Sequence, residues 1–260
     1  MDNEEKILKT LSINPNYIKS VENPTEEMQL MAVRANGILL NYIKNPTEKV
    51  QWEALKYNKW AIEYIKDPSE EMCLFVVGQA WNTLKFIKNP GKSVIIKALE
   101  QKGWAIQFYE NPPEELQLMA VEKDWDAIRY IKNPTEKVKK LAVKKEWNSI
   151  KYIKNPSVEL QRISVIQNEE AIRYIDNVTE ESWQFFIRDN VRALKYYNGQ
   201  VPREKVLEIL KERLSSDDVD RNYVIDFIKE ESLDIDKVKF IHHYGSKVAK
   251  VILVDYKLSI

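Results

Sequence analysis

The chain of 260 residues has one cysteine, Cys73, and two histidines, His242 and His243, which stand side by side. A single thiol excludes an internal disulfide framework and a clustered-thiol metal site, and it suits a reducing cytoplasm. Adjacent histidines on a helix point about 100° apart, so they cannot share the face that i, i+4 metal ligands use. The six glycines stand singly, at 37, 78, 91, 103, 199 and 245, which leaves no G-x-G-x-x-G and no P-loop to cradle a nucleotide. No run of 18 apolar residues occurs, and the opening MDNEEKILKTLS lacks the apolar stretch of a secretory leader. These features predict a soluble, cytoplasmic chain that does not enter a membrane. Forty basic residues balance forty acidic ones, so no global field draws nucleic acid or anionic lipid.

What the chain does have is a core-forming composition, 44% apolar and 10% aromatic, and a repeated phrase. Pro24, Pro46, Pro68, Pro90, Pro112, Pro134 and Pro156 follow one another at 22 residues, each after Asn or Asp, and Val178 takes the next place. Eight units result: 23–44, 45–66, 67–88, 89–110, 111–132, 133–154, 155–176 and 177–198. A fixed period of this size signals a stacked array, because a 22-residue unit cannot bury an apolar face alone.

Each unit reads as two short helices. Asn followed by Pro suits an N-cap and first helical position, and Glu26, Glu48, Glu70, Glu114, Glu136 and Glu180 fall three residues after that cap. The first helix is expected to end near Asn36, Asn58, Asn168 and Asn190, with Gly37 and Gly103 suited to a left-handed turn. The second helix carries Leu or Ile, then an aromatic two residues later: Tyr42, Tyr64, Phe86, Phe108, Tyr130, Tyr152, Tyr174 and Tyr196. This ladder is expected to be core. A leucine-rich repeat has a similar period but needs an L-x-x-L-x-L-x-x-N strand segment, which this proline-capped, Glu-rich text does not offer.

The predicted fold is therefore all-α, an α-solenoid or superhelix of eight 22-residue two-helix repeats spanning 23–198. Residues 1–22 read as a degenerate N-terminal cap repeat, with NEEKILKTL as its first helix. Residues 199–260 read as a divergent C-terminal cap or small subdomain, whose tail KVAKVILVDYKLSI fits a helix or a strand.

The phrases NPTEEMQLMAVRANG, NPTEKVQWEALKYN and YIKNPTEKVKKLAVKKEW resemble short two-helix repeats of unknown function found in many bacterial and phage proteins. The resemblance covers roughly residues 14–198. It implies helical architecture and brings no catalytic residues. By association alone, its phage members suggest an anti-defence role, in which the scaffold sequesters or inhibits another macromolecule.

No chemistry-bearing constellation stands out. The paired carboxylates Glu26-Glu27, Glu70-Glu71, Glu114-Glu115 and Glu180-Glu181 recur at helix starts, where the helix dipole explains them. Nothing marks a nucleophile, and no metal or cofactor is implied, so the expectation is a non-enzyme that binds another protein. Two stripes are candidates for the contact. One lies on the first helices, where Trp52 replaces an aliphatic at the eighth place of its unit and reads as an exposed anchor. The other is a basic stripe on the second helices: Lys85, Lys88, Arg129, Lys132, Lys151, Lys154, Arg173 and Lys195. Interleaved with the aromatic ladder, that stripe also fits an alternative reading as a nucleic-acid groove, against which the balanced charge argues.

Overall fold

The computed structural model describes residues 3–176 and 178–259; Met1, Asp2, Ile260 and Asn177, which opens the eighth unit, lie outside the described residues. Every element among the described residues is a helix. An α-helix alternates with a 3-10 helix from the start. The α-helices are α1 (Asn3–Ile13), α2 (Glu26–Ala35), α3 (Glu48–Tyr57), α4 (Glu70–Gln79), α5 (Lys92–Gln101), α6 (Glu114–Lys123), α7 (Glu136–Lys145), α8 (Val158–Gln167) and α9 (Glu180–Asp189). Their 3-10 partners are η1 (Pro15–Ser20), η2 (Gly37–Tyr42), η3 (Lys59–Tyr64), η4 (Trp81–Phe86), η5 (Gly103–Phe108), η6 (Trp125–Tyr130), η7 (Trp147–Tyr152), η8 (Glu169–Tyr174) and η9 (Val191–Tyr196). The pattern then ends in α10 (Arg203–Ser215), α11 (Arg221–Lys229), α12 (Lys237–Tyr244) and α13 (Lys247–Leu258). The tail that fits helix or strand by sequence is thus helix.

Numbering each unit from its Asn or Asp, the α-helix takes places 4–13 and the 3-10 helix places 15–20 in all units from α2 to α9. The second element is tighter than an α-helix. With only six residues it closes i→i+3 bonds such as Leu39 N–H to the Asn36 carbonyl, 2.9 Å, and Ile43 N–H to the Leu40 carbonyl, 3.0 Å.

The caps differ from the sequence expectation. The N-cap is the residue two places after Asn: the hydroxyls of Thr25, Thr47 and Ser69 accept from the N–H of Met28, Val50 and Met72. Asn and Pro precede the helix in a bend, and Glu26 and its counterparts occupy the first helical position, not the third. Pro still has a use there. Its carbonyl accepts from a glutamine at place 7, as in Gln29 to Pro24 at 2.9 Å, Gln117 to Pro112 at 2.8 Å and Gln161 to Pro156 at 2.9 Å. Place 14 works twice: Asn36, Asn58, Asn168 and Asn190 end the α-helix in extended backbone, and their side chains cap the 3-10 helix that follows.

Gly37 and Gly103 do not make left-handed turns. Among the described residues positive φ occurs at Asn89 and Asn155, both 48°, and at Gly199, 77°. The two glycines instead permit close approach to the next unit, since a Cβ would lie 2.3 Å from the Ala54 carbonyl oxygen at Gly37 and 2.2 Å from that of Ala120 at Gly103.

The core is made by places 6, 10 and 11 of the α-helix and 17, 18 and 21 around the 3-10 helix. In the third unit these are Met72, Val76, Val77, Thr83, Leu84 and Ile87, all buried. Places 6 and 10 lie one turn apart and place 11 stands beside 10, which makes the apolar stripe that a neighbour must cover.

Two compact bodies, Met1–Pro134 and Thr135–Ile260, make up the chain. Within the first, successive helices from α1 to α6 pack side by side, and so do successive 3-10 helices from η1 to η6. The second repeats this from α7 to α10 and from η7 to η9, then packs α11 against η9 and α13, and α12 against α10 and α13. Each body therefore has an α-helical layer and a 3-10 layer.

Candidate interaction surface

The aromatic ladder is not core. Tyr42 and Tyr174 are exposed at 47% and 45%, and Tyr64, Phe86, Phe108, Tyr130, Tyr152 and Tyr196 are half-buried. The residue two places earlier fills the core instead: Leu40, Ile62, Leu84, Ile106, Ile128, Ile150, Ile172 and Leu194. On a 3-10 helix, i and i+3 eclipse and i+2 turns away, so an aromatic at place 20 cannot share the face of an aliphatic at place 18.

What holds the ladder is a second set of rings. Trp60 meets Phe86 with centroids 6.1 Å apart, Trp81 meets Phe108 at 6.4 Å, Trp104 meets Tyr130 at 5.9 Å and Trp147 meets Tyr174 at 6.3 Å. Each tryptophan, at place 15 or 16, touches the ladder residue of the following unit. Such edge and tilted contacts are favourable for aromatic quadrupoles.

Cations lie over these rings. The Lys85 ammonium is 5.6 Å from the Trp60 ring and 4.5 Å from Phe86, and the Arg129 guanidinium is 4.7 Å from both Trp104 and Tyr130. In the second body Lys151 lies 5.0 Å from Tyr152 and Arg173 lies 5.3 Å from Tyr196. Lys88, Lys132 and Lys154 are exposed at place 22, in the turn before the next Asn, and make no ion pair among the described residues. Open furrows run between successive turns. One of 480 Å³ is flanked by Tyr42 and Lys44, and one of 540 Å³ by Lys66, Phe86 and Lys88.

Lys195 differs from its counterparts. Its ammonium is 3.1 Å from the carboxylate of Glu169, which Arg192 also meets at 2.8 Å. Glu169 is buried, so this pair of cations compensates it and is not available as a free positive patch.

Trp52 belongs to the other layer. It is half-buried and packs edge-on against Phe75 of the next helix, 5.6 Å between centroids, so its ring is already committed to a neighbour. Polar residues of the first helices form lateral ties within each body. Lys49 meets Glu26 at 2.9 Å, Arg34 meets Glu53 at 2.9 Å and Lys92 meets Glu115 at 2.8 Å; in the second body Lys140 meets Glu159, and Arg162 meets Asp189 at 2.7 Å. Hydrogen bonds from these cations hold the carboxyls of Glu26, Glu53 and Glu159 below the usual carboxylate range. Polar residues of the first helices are thus partly used between units.

Cys73 is buried and its thiol is pushed up, chiefly by burial, which keeps it protonated. His242 and His243 are exposed on α12. Among the described residues no three His, Cys, Asp or Glu side chains gather to hold a metal, and no helix is long and apolar enough to cross a membrane. A large ring at the entry to the second helix is expected to wedge adjacent units, as Trp60, Trp81, Trp104 and Trp147 do; that the wedge meets the aromatic ladder, and that Glu169 is buried, sequence reasoning missed.

No protein-family model, curated protein or solved structure matches the chain.

Proposed function

We propose that the chain is a non-enzymatic α-solenoid of eight 22-residue units over 23–198, capped by 1–22 and 199–260, that binds another protein through its 3-10 layer. The observation that carries this reading is the half-exposed ring ladder with cations laid over it. Aromatic rings and arginines or lysines held on a rigid, repeating frame are the side chains that dominate protein contacts. They lose little conformational freedom on binding because the rings already rest on tryptophans. The exposed lysines at places 19 and 22 favour an acidic face on the partner. By sequestering such a face the scaffold would act as an inhibitor, in keeping with the resemblance to phage repeat proteins.

Nucleic acid is the second reading, favoured by Lys88, Lys132 and Lys154, which are exposed and make no ion pair among the described residues. Two features weigh against it. The cations rest on ring faces where bases would stack, and the basic run is interrupted by Glu63, Glu110 and Asp176. The test is affinity capture from nuclease-treated lysate of the native organism, with wild type beside Lys85→Glu/Lys88→Glu/Lys132→Glu, and fluorescence polarisation with labelled DNA and RNA across salt. A protein lost from the triple variant, with no salt-dependent nucleic-acid binding, is the expected result. A steep salt slope with nucleic acid would replace this reading with the second.

A further inference from the structure

Helix α13 is apolar on two opposite sides. Ala249, Ile252 and Leu253 are buried against the second body, whereas Val248, Val251, Val254 and Leu258 are exposed at 38%, 59%, 55% and 83%. A helix with aliphatics all round is expected to be covered all round. The exposed stripe also has a symmetry that a general partner would not require. Val248 and Val254 lie three residues either side of Val251, and Lys247 and Asp255 lie four residues either side. Leu258 has its counterpart in Tyr244, the last residue of α12, which is also exposed.

An isologous two-fold interface demands that residue i meet j while j meets i. With the axis at Val251, an antiparallel second α13 sets valine on valine at the centre and Lys247 of each copy against Asp255 of the other. Lys247 makes no ion pair among the described residues, and Asp255 has only a half-exposed contact to Arg221 at 3.4 Å, which can be shared or exchanged. We propose that this face is a homodimer surface on which a second copy of the chain docks antiparallel about Val251. None of these residues belongs to the 3-10 layer, so this interface is independent of the proposed function.

The experiment is sedimentation equilibrium of the full chain over a concentration series. Wild type is expected to show a monomer-dimer equilibrium, and Val251→Asp to remain monomeric with unchanged circular dichroism, since the side chain is exposed. Lys247→Glu and Asp255→Lys each place like charges together twice and should weaken dimerisation about tenfold or more. Mixing those two variants sets the new acid against the new base and native Asp255 against native Lys247, and should restore the dimer. A wild type that stays monomeric at all concentrations, a dimer indifferent to Val251→Asp, or a mixture that fails to recover would each overturn the proposal.

Discussion

The α-carbon of Gly103 lies so close to Ala120 that a Cβ built on it would fall 2.2 Å from the Ala120 carbonyl oxygen. That oxygen already accepts from the Asp124 N–H at 2.9 Å, so it cannot swing aside without opening the end of α6. Gly103→Ala should therefore destabilise by about 1–3 kcal/mol through overpacking, and Gly37→Ala against Ala54 likewise. Gly78→Ala is the control. Its Cβ would meet only the end of Lys97 at 3.9 Å within a helix, and it should stabilise by roughly 0.5–1 kcal/mol in urea unfolding.

The cap assignment separates two neighbouring residues. Thr47 accepts from the Val50 N–H and donates to Glu26 at 2.8 Å, whereas Asn45 lies in the bend before the helix. Thr47→Ala should cost about 1–2 kcal/mol and Asn45→Ala less than half of that. Equal losses in chemical denaturation would restore Asn as the cap.

Burial ranks the ladder below the aliphatic column beside it. Ile62→Ala, in the core, should cost about 2–5 kcal/mol, while Tyr42→Ala, nearly half exposed, should cost about 1 kcal/mol or less. Thermal unfolding of the two variants checks this order directly.

Lateral ion pairs make the fold sensitive to acid. The carboxyls of Glu26, Glu53 and Glu159 titrate below their usual 4.5 in the folded chain because Lys49, Arg34 and Lys140 hydrogen-bond to the charged form. Their contribution is fully present above that usual value and is lost as pH falls through the lower folded-state value. Replacing all three by Gln should flatten the fall in melting temperature between about pH 6 and pH 3, and high salt should narrow the difference from wild type at neutral pH.

Much of this architecture is legible in the text of the chain. The spacing from Pro24 to Pro156 marks the period, and the aliphatics at Val33, Leu40 and Ile43 mark the buried columns, because burial must recur wherever identical units meet. The cap was ambiguous for a chemical reason: Asn45-Pro46-Thr47-Glu48 offers two good cap residues in succession, and only backbone geometry decides between them. The ladder misled differently. Its recurrence looks like core, yet Tyr130 recurs in register with the other rings because it rests on Trp104 at the surface. Trp52 stood out as a departure from its column, and Phe75, the reason for it, lies 23 residues further along the chain. As for the candidate site, residue types located the basic stripe, but not the pairing of Lys195 with buried Glu169.

The central claim, that the 3-10 layer is the binding face, is tested most directly by amide hydrogen exchange on the scaffold with and without its captured partner. Protection is expected in the 3-10 segments and the turns after them, such as 81–89, 103–111 and 125–133, with α2 to α6 unchanged. Protection confined to the α-helices around Trp52 or to residues 199–260, with those segments exchanging as before, would contradict it.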